Sequence, residues 1–113
     1  KRLLNTIQRT VRFHHYRWYD RDGVKHLLRK HDMAGVWCEL QAKGGLTHCY
    51  ILNEDGNRCE FYNPKFDEET NPGVPEFIDY TFSECSTKDQ FCKKTGREIA
   101  YGRALKQMEL IYV

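Results

Sequence analysis

One long helical pattern closes this chain, Cys85 to Leu105, and everything before it breaks into short β-type runs divided by turn residues. That order restricts the fold to an α+β type, with one helix laid across an antiparallel sheet of about five strands. Ser86 is placed to cap the helix and Asp89 follows three residues later, so a hydroxyl meets an orphan N–H and an acid meets the positive helix end. At about 100° per residue, Phe91, Cys92, Thr95, Ile99, Gly102 and Leu105 share one broad side, with Lys93, Gly96, Arg97, Ala100, Arg103, Ala104 and Gln107 opposite. The second side mixes cations with very small residues. Gly96 and Gly102 cost about 1 kcal/mol each against Ala in a helix interior, which points to a ligand or another backbone coming close.

The β part begins at Thr10–Asp20, where Val11, Phe13, His15, Arg17 and Tyr19 alternate with Arg12, His14, Tyr16 and Trp18, a strand aromatic on both faces. Asp20-Arg-Asp-Gly23 is turn chemistry, and Val24–Lys30 returns as a strand in preference to a short helix. Val36–Gln41 and Leu46–Asn53 read as strands joined through Ala42–Gly45, and Asn53–Asn57 turns the chain into Arg58–Tyr62. All three prolines fall in Asn63–Glu76, with the acidic run Asp67–Glu69 among them, so this is the one long loop. Phe77–Ser83 is a last strand. Residues 1–10 stay open between helix and strand, and Ile111-Tyr-Val113 is an apolar tail for the core or a subunit contact.

At 113 residues the expectation is a single domain, 1–113. The net charge of +2 hides an asymmetry: residues 1–48 hold ten Lys/Arg against four Asp/Glu, residues 54–89 three against ten, and residues 90–113 five against two. Such a chain is no polycation, which argues against nonspecific nucleic-acid binding. Five cysteines without a disulfide rhythm, and no apolar run of about 20 residues, indicate a reduced, cytoplasmic protein outside the membrane.

Metal binding is disfavoured, because Cys85 and Cys92 are seven apart, His26 and His31 five apart, and adjacent His14 and His15 point to opposite strand faces. His48-Cys49 cannot form a catalytic dyad for the same reason. No nucleophile-elbow, zinc-protease or phosphate-loop pattern is present, so neither catalysis nor a cofactor is expected. A nucleic-acid surface would use Arg9, Arg12, Arg17, Arg21, Lys25, Arg29 and Lys30 among Phe13, Tyr16, Trp18 and Tyr19. An anionic small molecule would use Lys93 and Arg97, one helical turn apart, with Arg103 at the edge of their stripe. Gly96, Ala100 and Ala104 would equally suit packing against a second helix, and a helix pair on a two-fold axis would gather four or more cations around one crevice.

The motif Cys85-Ser-x-x-Asp-x-Phe-x-x-Lys-x-Gly-Arg-x-Ile-Ala-x-Gly-Arg-Ala104, preceded by Lys43-Gly-Gly-Leu-Thr47, resembles small bacteriophage proteins of the anti-Thoeris family, which sequester cyclic ADP-ribose signals. The resemblance implies an antiparallel sheet with a C-terminal helix, homo-oligomers, no catalysis, and a cyclic nucleotide or ADP-ribose-type ligand buried between protomers. It implies Lys93 and Arg97 as phosphate contacts. The expected function is thus a noncatalytic sponge for a phosphorylated nucleotide that counters host defence in the bacterial cytoplasm. Arg103 would add charge, Gly96 and Ala100 would admit the ligand, and Phe82, Phe91 or Tyr101 would stack on a base. The alternatives are a protein–protein inhibitor of a host defence protein, acting through the acidic 54–89 surface, and a nucleic-acid module built on the N-terminal aromatic strand.

Overall fold

The computed structural model describes residues 10–29 and 39–112, with side chains as far as residue 108. The N-terminal arm, the start of the 36–41 run and the side chains of the C-terminal tail lie outside the described residues. The elements are β1 (Val11–Arg21), β2 (Val24–Arg29), β3 (Glu39–Leu40), β4 (Lys43–Ile51), β5 (Phe61–Tyr62), β6 (Phe77–Ile78), β7 (Thr81–Gln90) and α1 (Lys93–Tyr112). Four strands run β2-β1-β4-β7, β3 adds a fifth beside β1, and every pairing is antiparallel. This is the expected α+β architecture. β5 and β6 form a small separate hairpin that brackets the proline loop.

The alternation in β1 sets the two faces of the sheet. Phe13 pairs with Cys49, which pairs with Thr81; His15 pairs with Thr47, which pairs with Ser83. These rows lie under α1, which packs mainly on β7 and β4 and touches β5. The β1–β2 turn forms as its residues demand: Asp20 Oδ1 accepts the Gly23 N–H at 3.0 Å, and Asp22 and Gly23 take φ of 54° and 79°. Asn53 does the same in the next turn, its Oδ1 accepting from Asp55 N and Asn57 N.

Several boundaries differ from expectation: Arg58–Tyr62 is a strand only at Phe61–Tyr62, and Phe77–Ser83, expected as one strand, is divided between β6 and β7, which belong to different sheets. The helix begins at Lys93 instead of Cys85, because residues 85–90 continue β7 and pair with β4 through Gly45↔Cys85 and Lys43↔Gln90. Ser86 does take a nearby N–H, from Lys88, but inside an extended strand. Cys92 precedes the first helical residue, and its carbonyl accepts the Gly96 N–H. Lys43–Gly45, expected as a connection, belongs to β4, with a register irregularity between Lys43 and Gly45.

The core is Cys49 and Ile51 of β4, Phe61 of β5, and Ala100, Ala104 and Met108 of α1, flanked by Val11, Phe13, Tyr101 and Leu105. Burying Ile51 and Phe61 contributes roughly 1.5–3 kcal/mol each. The stripe Gly96, Ala100, Ala104 and Met108 therefore faces the sheet, where the sequence suggested a second helix or a ligand. Small residues at every fourth position let the helix sit close: Thr81 Oγ1 donates to the Ala100 carbonyl at 2.7 Å, and Thr47 fills the space beside Gly96.

Candidate functional site

β1 points His15 and Arg17 at the helix side of the sheet, just where the chain leaves β7 and enters α1. The linking residue, Phe91, is fastened by its N–H to the Ala42 carbonyl at 3.1 Å. Its ring lies over Gly45, at φ 147°: a Cβ there would stand 2.7 Å from Phe91 Cδ2 and 2.6 Å from the Tyr16 carbonyl oxygen. The missing side chain thus seats the aromatic ring. His15 meets Phe91 edge-on, 6.0 Å between centroids, and the Arg17 guanidinium carbon lies 5.2 Å from the Phe91 centroid.

Lys93 and Arg97 come down beside the same histidine. Burial first, then these two cations, hold the His15 imidazole down to about 4, so the ring is neutral at physiological pH. Its Nδ1 shares a 2.9 Å hydrogen bond with Thr47 Oγ1, which fixes its orientation. Arg17 donates from Nη2 to the Gln41 carbonyl at 3.3 Å, while its buried Nε has no hydrogen-bond partner among the described residues. Beside His15, Arg17 and Lys93 lies a groove of about 640 Å³, lined also by Phe13, Tyr19 and Arg29 among others, with Arg97 one helical turn beyond Lys93. Tyr101 packs edge-on against Phe13 of that lining, at 6.5 Å.

The electrostatics of this corner are one-sided. α1 opens with Lys93 and Lys94 and has no acid in its first turn, so cations stand at the positive end of the helix dipole. Each such placement disfavours the helix by about 0.3–1 kcal/mol. Arg58–Asp79 and Lys65–Glu84 are ion pairs elsewhere, and among the described residues no acidic partner is found for Arg17, Lys93 or Arg97.

The structure divides the residues that the sequence grouped. Lys93, Arg97, Phe91 and Tyr101 share the β1 flank of α1. Gly96 and Ala100 lie beneath the helix, so the close approach they permit is that of the sheet. Arg103 is on the opposite flank, where its Nη1 donates to the Phe82 carbonyl at 2.6 Å, while the Phe82 ring itself lies on the far face of the sheet beside Tyr80. β4 separates the two groups, since β1 and β7 are its two neighbours. His15 was not among the expected site residues, and Arg17 was expected only as part of a nucleic-acid surface. Strand alternation put them on one face, but nothing in the sequence said that α1 crosses that face.

The other chemistries are placed too. Cys49 is fully buried on the helix side, its thiol pushed up to about 11 by burial, whereas His48 stacks on Tyr80 at 4.2 Å on the far face. His14, Tyr16, Tyr50 and Phe82 join that layer, and the Arg58 guanidinium covers Tyr50 at 3.9 Å, so these rings pack largely on one another. Among the described residues no three His, Cys, Asp or Glu side chains group to hold a metal, and no helix is long and apolar enough to cross a membrane. Compared with protein-family models, with curated proteins and with solved structures, the chain matches none.

Proposed function

We propose that this protein binds, without transforming, a phosphorylated cyclic nucleotide in the groove between β1 and the start of α1, and by holding it keeps it from its receptor. One observation carries this: Lys93 and Arg97 stand beside a neutral His15 at a helix N-terminus, Arg17 shares the Phe91 ring with that histidine, and none of the three cations has a carboxylate partner among the described residues. A phosphate entering there meets charge-assisted donors and relieves their mutual repulsion. Lys93 and Arg97, one turn apart, suit two oxygens of one phosphate or two neighbouring phosphates. Phe13, Phe91 and Tyr101 supply apolar surface for a base or ribose. The likeness of the helix motif to bacteriophage anti-defence proteins supports an ADP-ribose-type cyclic signal, a homo-oligomer, and action in the host bacterial cytoplasm.

A thermal-shift screen against cyclic dinucleotides, cyclic trinucleotides and ADP-ribose derivatives tests this, with the oligomeric mass measured in parallel. At a hundredfold excess over Kd a ligand that binds only folded protein adds about 2.7 kcal/mol. One cyclic nucleotide should shift wild type strongly and Arg97→Ala far less. Equal shifts in both proteins would remove the groove as the site, and no shift with any nucleotide would end the proposal.

A further inference from the structure

The flank of α1 that carries Arg103 holds a second cleft, of about 470 Å³, between the helix, β7 and the start of the proline loop. Its size lies within the roughly 300–1,000 Å³ of small-molecule sites. We propose that this cleft is an independent binding site for a mononucleotide whose base carries an exocyclic amino group.

The walls are fixed before any ligand arrives. Gln107 grips β5 with both ends of its amide: Oε1 accepts the Tyr62 N–H at 2.7 Å, and Nε2 donates to the Tyr62 carbonyl at 3.1 Å. Asn63, 6% exposed, ties the two ends of the proline loop, donating from Nδ2 to the Pro75 carbonyl and from its backbone N–H to Glu76. Its Oδ1 accepts the Lys65 N–H at 3.0 Å, which sets Lys65 at the mouth.

The polar groups divide into an anion end and an amine end. Lys65 pairs with Glu84 Oε1 and lies over the Phe82 ring, 5.3 Å from its centroid, so these two charges cancel. Arg103 and Lys106 remain without acidic partners among the described residues. The Phe82 carbonyl holds one Nη of Arg103 and so aims the guanidinium, which keeps further N–H groups for a phosphate. Glu84 Oε2 has no hydrogen bond among the described residues and can accept from an amino group. Tyr62 is 48% exposed, and Phe66 and Phe77 hold it edge-on, each at 6.4 Å, which leaves ring surface for a base to stack on.

The cleft shares no lining residue with the β1 groove, and the buried stripe of α1 runs between them, so the two sites stand or fall separately. Calorimetric titration of AMP and UMP into the Lys93→Glu/Arg97→Glu protein isolates the cleft. AMP should bind with a stoichiometry of one per chain and UMP several-fold more weakly, because uracil lacks the amino group. Adding Lys106→Glu, an exposed change that leaves the packing alone, should weaken AMP at least tenfold, as should Tyr62→Ala in protein shown to be folded by circular dichroism. The absence of AMP binding to the Lys93→Glu/Arg97→Glu protein overturns the cleft and leaves the groove intact. AMP affinity indifferent to both cleft changes, or UMP binding equal to AMP, also overturns the assignment.

Discussion

Gly96 and Gly102 stand six residues apart in one helix, have the same intrinsic propensity, and should respond to alanine with opposite signs. At Gly102 a Cβ meets nothing within 4 Å, so only backbone entropy changes and Gly102→Ala should stabilise by about 0.5–1 kcal/mol. At Gly96 the new carbon would fall on the Thr47 hydroxyl, well inside contact distance, and 3.0 Å from Thr47 Cβ. Thr47 is 1% exposed, and rotating it breaks its hydrogen bond with His15. Overpacking costs about 1–3 kcal/mol and the lost bond about 0.5–1.5, against a propensity gain near 1, so Gly96→Ala should destabilise by about 2 kcal/mol. Urea denaturation read by circular dichroism gives both values. With a slope of about 1–3 kcal/mol per molar, the Gly96→Ala midpoint should fall by roughly 1 M while that of Gly102→Ala rises. Midpoints that move in the same direction would refute the placement of this helix face on β4.

Three further outcomes can be checked. Gly45→Ala puts a Cβ against the Tyr16 carbonyl and the Phe91 ring at a positive φ, so it should cost more than about 2 kcal/mol and displace Phe91; unchanged stability and unchanged Phe91 ring NMR shifts would contradict the seat described for that ring. Burial depresses both His15 and His48 to about 4, so the unfolded chain binds protons that the folded one refuses; stability should be full above about pH 6.5, fall as pH drops toward 4, and level off below, and a flat profile over that window would be inconsistent. The Thr95 hydroxyl, donating to Cys92 Sγ at 3.4 Å, and the Thr95 backbone lower the exposed Cys92 thiol, so alkylation at pH 7.5 followed by mass spectrometry should label Cys92 well before buried Cys49.

Strand alternation in β1 and the Asp20–Gly23 turn were legible because both depend on neighbours in sequence: side chains reverse at each strand residue, and Asp20 closes its turn on Gly23. The start of α1 was not. Ser86 and Asp89 have the chemistry of a helix cap, but hydrogen bonding to β4, some forty residues away, outcompetes it, and the residue that does precede the helix is a cysteine. The period-four stripe of small residues said that a backbone comes close and could not say whose. Lys93 and Arg97 were legible as a pair through helical spacing. Their union with His15 and Arg17, and the separation of Arg103, are products of long-range packing that only the assembled sheet determines.

Gln107 has a consequence for association. Its side-chain amide occupies the N–H and C=O of Tyr62 much as a residue of an adjoining strand would, so this helix side chain serves as a one-residue strand. β5 contains two residues, Phe61 and Tyr62, and a margin that short with one residue already satisfied offers no template for a strand from another molecule. Growth of sheet from that margin is closed off, and strand pairing between copies of this chain would have to use another edge.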